Sequence, residues 1–205
     1  MKLFWSSRSP FVRKVMVVAY ETGMADHIEK LPVVVSMTSE PTEEVMRHNP
    51  LNKIPTLITE EGLVLFESVV ICEYLDSLHS GPKLFPVQAA QRWKALRWQA
   101  LGSSMLEAEL LWRSETRRPS DSQMAVVIHA FERKIETALD VLETEVDQLI
   151  SEPYGIGHVS IVCALAYLDF RFMGFDWRKG RPGIAAHFAT LSARPAMQAT
   201  AFVDA

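Results

Sequence analysis

Ser9 is placed where a hydroxyl group can act on an anion. Residues 2–5 predict a strand, and Ser9 and Pro10 then begin a helix that extends to about residue 22. Serine is a favoured cap and proline suits the first helical position, so the unpaired N–H groups and the positive dipole end of this helix lie beside the hydroxyl. A thiolate held there would receive a hydrogen bond from Ser9. Alternatively, Ser9 only caps its helix.

The segment NPLNKIPTL at 49–57 is a second place where chemistry is expected. Its two prolines lead into a β-branched strand. If the Ile54–Pro55 peptide bond is cis, the backbone N–H and C=O of Ile54 face outward and can pair with an extended peptide. Lys53 beside them can meet a carboxylate. The alternative is a trans proline, the commoner form of any single X–Pro bond, next to a solvated lysine.

Glu67 and Ser68 form a third candidate site between a strand and a helix. The Ser68 hydroxyl and the first N–H groups of the helix suit an anion, and the Glu67 carboxylate can receive an ammonium group. One site would then hold both charges of a zwitterion. The alternative is that Ser68 is only the N-cap of its helix.

Hydrophobic periodicity predicts the elements that position these residues. The first 80 residues have the order βαβ and then ββα, with strands at 2–5, 29–36, 56–59 and 63–66 and helices at 9–22 and 67–78. The remainder predicts helices, at 89–112, 121–149, 160–172, 182–191 and 195–202. Because a segment with glycine and prolines separates the two patterns, we predict a first domain at 1–80, a linker at 81–88 and an all-helical domain at 89–205.

Composition argues against several other classes of protein. The net charge of −4 offers no polybasic surface for nucleic acid or an anionic membrane. No apolar run reaches the roughly 18 residues of a membrane span, and the first residues lack the apolar core of a signal peptide, so a cytoplasmic protein is expected. Cys72 and Cys163 stand far apart in apolar segments and predict free core thiols, without a metal site or a disulfide.

The three segments, in this order, resemble the glutathione-binding half of the soluble glutathione transferases. That family has a thioredoxin-like α/β domain followed by an all-helical domain, so the resemblance covers essentially the whole chain. The run from Ser9 to Arg13, SPFVR, is similar to the serine-type motif of the family. It implies that Ser9 is the catalytic residue that hydrogen-bonds the sulfur, with Ser6 and Ser7 as alternatives. The first 12 residues contain no cysteine, which argues against the cysteine-type mechanism.

The resemblance also assigns residues that bind glutathione. Ile54 and Pro55 match the cis-proline position that pairs with the cysteinyl backbone of the tripeptide. Lys53 matches the position that reaches its glycyl or cysteinyl end. Glu67 and Ser68 match the clamp for its γ-glutamyl end.

The activity that the resemblance implies is that of a glutathione transferase. Glutathione is then the co-substrate, without a metal, and Ser9 activates its thiolate for attack on a small hydrophobic electrophile. Members of the family typically form homodimers and act in detoxification. A glutathione-dependent isomerase or peroxidase, and a non-catalytic scaffold or regulatory protein, are the alternatives.

Two expectations concern the second half of the chain. The electrophile pocket is expected between the two domains, lined by the first long helix of the second half and by the end of the chain, although side chains with that spacing on the helix are more often core. The candidates are Met105, Leu106, Glu109, Trp112 and Arg113. Ser160 is expected to cap the buried helix, but Cys163 stands where the family usually has an acid, which removes one capping hydrogen bond at about 1 kcal/mol.

Overall fold

The structure, a computed structural model, describes residues 1–36 and 39–204. The chain forms two compact units. One is Met1–Ala89 together with the segment that begins at Pro195, and the other is Ala90–Arg194. The last residues therefore group with the first unit, whereas the sequence places them with the helical domain. The roles assigned to the two domains stay predictions.

The first unit is a four-stranded sheet with helices, and it confirms the predicted α/β fold. Its strands are β1 (Lys2–Trp5), β2 (Glu29–Pro32), β3 (Thr56–Ile58) and β4 (Val64–Phe66), and its helices are α1 (Pro10–Glu21), α2 (Glu43–Met46) and α3 (Ser68–Ser77). The second strand is shorter than predicted. The sequence does not predict α2, because four residues are too few to show a helical period.

The strands lie in the order β2, β1, β3, β4. β2 is parallel to β1, whereas the pairs β1–β3 and β3–β4 are antiparallel. The helices α1 and α3 pack against each other, and α3 also contacts β3 and β4. Leu3, Val15, Leu57, Ile71 and Leu75 are fully buried in this unit. They are apolar positions of the predicted strands and helices.

The second unit is helical, as predicted. Its helices are α4 (Ala89–Thr116), α5 (Ala125–Thr144), α6 (Val146–Ser151), α7 (Ile156–Arg171) and α8 (Pro182–Ser192). The single helix predicted at 121–149 is two helices that meet at Glu145, whose carboxylate accepts a hydrogen bond from the indole N–H of Trp98 at 2.8 Å. None of the helices in the described ranges has the length and hydropathy of a membrane span.

Two glycines allow α4 and α7 to approach closely. A Cβ atom at Gly102 would lie 2.6 Å from the backbone carbonyl carbon of Ser160. At Gly157 it would lie 2.9 Å from the Cβ atom of Trp98. A larger residue at Gly102 therefore fits only if the backbone moves.

Helix α7 begins earlier than predicted, at Ile156, so the prediction that Ser160 caps it is wrong. Ser160 is buried inside the helix, and its hydroxyl has no hydrogen-bond partner in the part of the chain that the structure describes. His158 holds the start of the helix instead: its Nδ1 accepts from the N–H of Gly155 at 3.2 Å, and its Nε2 donates to the carbonyl of Leu149 at 2.9 Å. The predicted cost of the missing capping acid therefore does not apply.

The two buried histidines of the second unit are expected to contribute less to its stability as the pH is lowered. Burial lowers the pKa of His158 and that of His187, whose ring centroid lies 5.8 Å from that of His158. Unfolded histidines have a pKa of about 6.5, so below that pH these two residues bind more protons in the unfolded chain than in the folded one, and their contribution to stability is lost. The free energy of unfolding should fall by up to about 1.4 kcal/mol per pH unit for each histidine, until the pH reaches the lower folded-state pKa.

Urea unfolding on both sides of about pH 6.5, compared between the wild type and a His158 variant, measures this loss, because the raised pKa of Glu109 acts in the opposite direction in both proteins. The variant His158→Gln keeps a donor and an acceptor at this position but does not titrate, so its stability should depend less on pH. An equal pH dependence in the two proteins would contradict the assignment to His158.

The end of the chain packs on the segment between β1 and α1. Helix α9 (Pro195–Ala199) belongs to the first unit. The guanidinium of Arg13 donates to the carbonyl of Met197 at 3.3 Å, and the hydroxyl of Ser7 donates to the carbonyl of Val203 at 2.8 Å. The last residues therefore help to shape the loop that follows β1.

Candidate functional site

The register of the sheet brings the three predicted segments to one edge. Phe4 near the end of β1 pairs with Thr56 at the start of β3, and Thr56 pairs with Phe66 at the end of β4. The loop after β1, the loop before β3 and the residues after β4 therefore leave the sheet at the same edge. The sequence predicts each segment, but their meeting depends on the strand order.

Ser9 is the N-cap of α1, as predicted. Its backbone is extended, with φ −83° and ψ 119°, and its Oγ accepts a hydrogen bond from the N–H of Val12 at 3.3 Å. Pro10 occupies the first turn. Accepting this bond does not use the hydroxyl hydrogen, which can be donated to a ligand at the helix end. Capping and donation are therefore compatible, and the catalytic role of Ser9 stays a prediction.

The Ile54–Pro55 peptide bond is cis, which is the form that the predicted backbone pairing needs. Ile54 is half-buried and Lys53 is exposed. Within the described ranges, the backbone of Ile54 makes no hydrogen bond. Its N–H and C=O groups are therefore open to an extended peptide. The pairing with glutathione stays a prediction.

Asn49 braces this loop, although no pattern in the sequence marks it as a site residue. Its Nδ2 donates to the carbonyl of Lys53 and to Oγ1 of Thr56, both at 3.1 Å, and its Oδ1 accepts from the N–H of Leu51 at 3.1 Å. Thr56 Oγ1 itself donates to the Lys53 carbonyl at 2.8 Å. Only 2% of Asn49 is exposed. The network holds the backbone on both sides of Ile54.

Replacing Asn49 with Ala is expected to weaken glutathione binding. The change removes the hydrogen bonds of the amide and should cost about 2–3 kcal/mol of stability. If the backbone of Ile54 pairs with glutathione as predicted, the KM for glutathione should rise about tenfold while kcat changes little, because that backbone loses its support but Ser9 does not. Steady-state kinetics with varied glutathione measure this. Asn49→Asp keeps the acceptor and loses both donors, so it should behave in the same way; an unchanged KM in both variants would refute the role.

Glu67 has a positive φ of 70° with ψ 121°, and its side chain is exposed. Helix α3 begins at Ser68, so Glu67 is the N-cap and the alternative in which Ser68 caps the helix is wrong. Ser68 is 3% exposed, and no side chain caps the helix. The first N–H groups of a helix lack intrahelical acceptors, so they stand ready for an anion beside the exposed carboxylate.

A small cavity lies in the first unit beside the loop that follows β1. Its polar lining comes from Ser6, Ser7, Arg13, Lys30 and Thr200. Trp5, Met16 and Ala201 complete it. None of the six predicted site residues lines this cavity, although Ser6 and Ser7 were the alternatives to Ser9.

The candidates for an electrophile pocket all lie on α4. They are Met105, Leu106, Glu109, Trp112 and Arg113. Trp112 is buried and stacks on Phe172 with ring centroids 4.4 Å apart, which is a core role. Glu109 is fully buried, its carboxylate oxygens have no hydrogen-bond partner among the described residues, and burial raises the pKa of this carboxyl well above its usual range.

A thioredoxin-like sheet domain with a hydroxyl at a helix end, followed by a helical unit, is the architecture of one class of enzymes. Residues 8–78 match the family pattern of the glutathione S-transferase N-terminal domain, and residues 125–190 match that of the C-terminal domain. The chain is 30% identical over 203 residues to the uncharacterized GST-like protein YibF of Escherichia coli (strain K12), covering 98% of each. This chain belongs to the glutathione S-transferase family.

Two solved structures of a glutathione transferase family member from Pseudomonas fluorescens Pf-5 are similar to the whole chain. One, with bound glutathione, is 38% identical, covers 97% of both chains and has a TM-score of 0.93. The other, with bound S-(propanoic acid)-glutathione, is 37% identical, covers 98% of both chains and has a TM-score of 0.89. The predicted fold is confirmed, and the serine-type subtype stays a prediction.

Proposed function

We propose that this protein is a glutathione transferase that holds glutathione at the sheet edge around Ser9, Ile54 and Glu67. The observation that carries the proposal is the strand register, because it brings a hydroxyl at a helix end, open backbone groups and an exposed carboxylate to one edge. These groups suit a thiolate, a peptide backbone and an ammonium group, which are all present in glutathione. The similarity to a family member with bound glutathione supports the proposal.

Each part of the tripeptide has an assigned partner. The N–H and C=O of Ile54, before Pro55, pair with the backbone of the cysteinyl residue. Lys53 attracts the glycyl or cysteinyl end. The Glu67 carboxylate receives the γ-glutamyl ammonium group, and Ser68 with the N–H groups of α3 receives the γ-glutamyl carboxylate. A similar family member with a bound S-conjugate of glutathione supports a site that also accepts the reaction product.

Ser9 acts by donating a hydrogen bond to the sulfur. A free thiol with a pKa of about 8.5 is only a few per cent thiolate at neutral pH, and the thiolate is the nucleophile. A charge-assisted hydrogen bond and a helix end lower that pKa by about one to two units, each worth about 1.4 kcal/mol. The thiolate then forms a bond from sulfur to an electrophilic carbon of a small hydrophobic molecule. The leaving group departs with the electron pair of the broken bond, and Ser9 forms no covalent bond.

We further propose a cytoplasmic homodimer that acts in detoxification. The family resemblance implies the dimer, and exposed apolar side chains in each unit support it. They include Phe66 and Val70 in the first unit and Trp93 and Val126 in the second. Sedimentation velocity should show twice the mass of the chain at micromolar concentration, and a monomer there would contradict the dimer.

Calorimetry with glutathione, followed by conjugation of chlorodinitrobenzene, tests the proposed function. Binding together with conjugation above the uncatalysed rate supports a transferase. A thiolate site can also serve a peroxidase or an isomerase. An organic hydroperoxide is therefore tested in parallel as a peroxidase substrate, and a compound with a maleate-type double bond as an isomerase substrate. Binding without any turnover would favour the scaffold alternative, and absence of binding would refute a glutathione site.

A further inference from the structure

The terminal segment, residues 195–204, contacts the chain on both sides of Ser9. Before Ser9, the hydroxyl of Ser7 donates a hydrogen bond to the carbonyl of Val203 at 2.8 Å. After Ser9, helix α1 packs against helix α9 of the terminal segment. The two contacts lie within the first unit. Ser9 therefore stands between two points at which the terminal segment is attached.

The attachment after Ser9 is buried, whereas the one before it is open to solvent. The guanidinium of Arg13 donates to the carbonyl of Met197 at 3.3 Å, and its carbon atom lies 4.6 Å from the ring centroid of Phe202. Arg13 and Met197 are both buried. Several contacts thus hold helix α1 at this end. Val203, in contrast, is exposed, so the attachment before Ser9 is a single solvent-exposed hydrogen bond.

Backbone hydrogen bonds connect Ser7 to Ser9. The N–H of Ser9 donates to the carbonyl of Ser6 at 3.2 Å, which closes a turn that contains Ser7. The N–H of Arg13 donates to the carbonyl of Ser9 at 3.0 Å, so the helix fixes the carbonyl side of Ser9. A shift of Ser7 therefore acts on the turn and changes the direction of the Ser9 hydroxyl. Hydrogen bonds weaken steeply when the donor is misaligned.

A small cavity separates the loop after β1 from the terminal segment. Trp5, Ser6 and Ser7 line it from the loop, and Thr200 and Ala201 line it from the terminal segment. Side chains beside a cavity lack the packing contacts that hold a buried side chain in place. The loop therefore depends on the hydrogen bond of Ser7 for its position relative to the terminal segment.

We propose that Ser7 is a positioning residue for Ser9, and that its hydrogen bond to Val203 directs the Ser9 hydroxyl at the sulfur of glutathione. This inference rests on the proposed function, because it places the sulfur at Ser9. Ser7 does not itself donate to the sulfur, since a hydroxyl has one hydrogen and the Val203 carbonyl receives it. The terminal segment thereby contributes to activation of the thiol.

Ser7→Ala should impair activation of glutathione but leave its binding nearly unchanged. The thiol pKa of bound glutathione, followed by thiolate absorbance, should rise by about half a unit to one unit. The kcat for chlorodinitrobenzene should fall about threefold to tenfold at neutral pH, since an exposed hydrogen bond has a modest net effect. The Kd measured by calorimetry should change less than about twofold, because Ile54 and Glu67 are untouched. Ser7→Thr keeps the hydroxyl and should restore both the thiol pKa and kcat.

Ser77→Ala is the matched control. Ser77 is an exposed serine of the first unit, and its hydroxyl donates to the carbonyl of Tyr74 at 2.6 Å. The variant thus loses the same kind of hydrogen bond, but this bond lies within helix α3. Its thiol pKa and kcat should equal those of the wild type. An equal loss in Ser7→Ala and Ser77→Ala would overturn the proposal.

Two further backgrounds show whether Ser7 acts through Ser9 and Val203. In Ser9→Ala, adding Ser7→Ala should raise the thiol pKa no further, because no hydroxyl remains to be positioned. Deletion of residues 201–205 removes the Val203 carbonyl and should lower kcat at least as much as Ser7→Ala does. Adding Ser7→Ala to the deletion should then change little. If the shortened protein does not fold, the Ser9→Ala background decides alone.

A further loss in the double variant of Ser7 and Ser9 would show that Ser7 acts on the sulfur directly, and it would overturn the inference. An unchanged thiol pKa in Ser7→Ala would overturn it as well. Both results leave the proposed function intact, since the wild type still binds and conjugates glutathione. Failure of the wild type to bind glutathione or to conjugate chlorodinitrobenzene would instead remove the proposed function itself.

Discussion

Ser9→Ala should lower kcat for chlorodinitrobenzene conjugation by about tenfold to a hundredfold at neutral pH while the affinity for glutathione stays nearly unchanged. In the proposed mechanism the Ser9 hydroxyl donates a charge-assisted hydrogen bond to the ionised sulfur, so its contribution is larger for the thiolate than for the bound thiol. The backbone of Ile54 and the charges at Glu67 remain in place and continue to bind the tripeptide. Titration of bound glutathione, followed by thiolate absorbance, should show the thiol pKa raised by about one to two units.

Two further variants separate this role from capping. Ser9 caps α1 through its bond from Val12, and its loss in Ser9→Ala costs about 0.5–2 kcal/mol of stability. Ser9→Gly also lacks the hydroxyl, but replacing the serine cap with glycine costs only a few tenths of a kcal/mol of stability. This variant should therefore show the same low turnover as Ser9→Ala in a more stable protein. Ser9→Thr keeps both functions and should retain most activity. Equal turnover in Ser9→Ala and the wild type, with a large loss in Ser6→Ala, would transfer the sulfur contact to Ser6.

The elements that the sequence predicts correctly are those whose signals are local. Ser9 and Pro10 form a helix start that depends on neighbouring residues only, and the structure has the predicted cap and helix there. The alternation of strands before residue 80 and the helices after it depend on short-range periodicity, and both are confirmed. Boundaries that depend on tertiary contacts differ, as at Ser160, because a histidine that bonds the preceding loop is not a local start signal.

The part of the site that could not be predicted is long-range or conformational. Phe4 pairs with Thr56, and Thr56 pairs with Phe66, only because of the strand order. That order cannot be predicted from any one of the segments alone. Asn49 resembles any polar loop residue until its three partners are known. The sequence does not indicate the positive φ of Glu67, because glycine is the residue usually found in this conformation and the chain has a glutamate there.

Glu67→Gly is expected to change stability and glutathione binding in opposite directions. A non-glycine residue at positive φ costs about 1–3 kcal/mol, whereas glycine adopts it readily and loses about 0.5–1 kcal/mol through greater freedom of the unfolded chain. The free energy of unfolding should therefore rise by about 1 kcal/mol. The Kd for glutathione should rise about tenfold to a hundredfold, because the exposed carboxylate that we propose as the partner of the γ-glutamyl ammonium group is gone. Urea unfolding and calorimetry measure the two effects.

Glu67→Gln separates the charge from the backbone. It keeps a side chain at φ 70° and removes the negative charge, so glutathione binding should weaken as in Glu67→Gly without the gain in stability. Wild-type affinity in Glu67→Gln would show that the carboxylate does not hold the ammonium group. A loss of stability in Glu67→Gly would show that contacts of the glutamate outweigh its strained backbone. The opposite signs are expected because the backbone at this turn disfavours glutamate, whereas the proposed contact with the γ-glutamyl ammonium group needs its carboxylate.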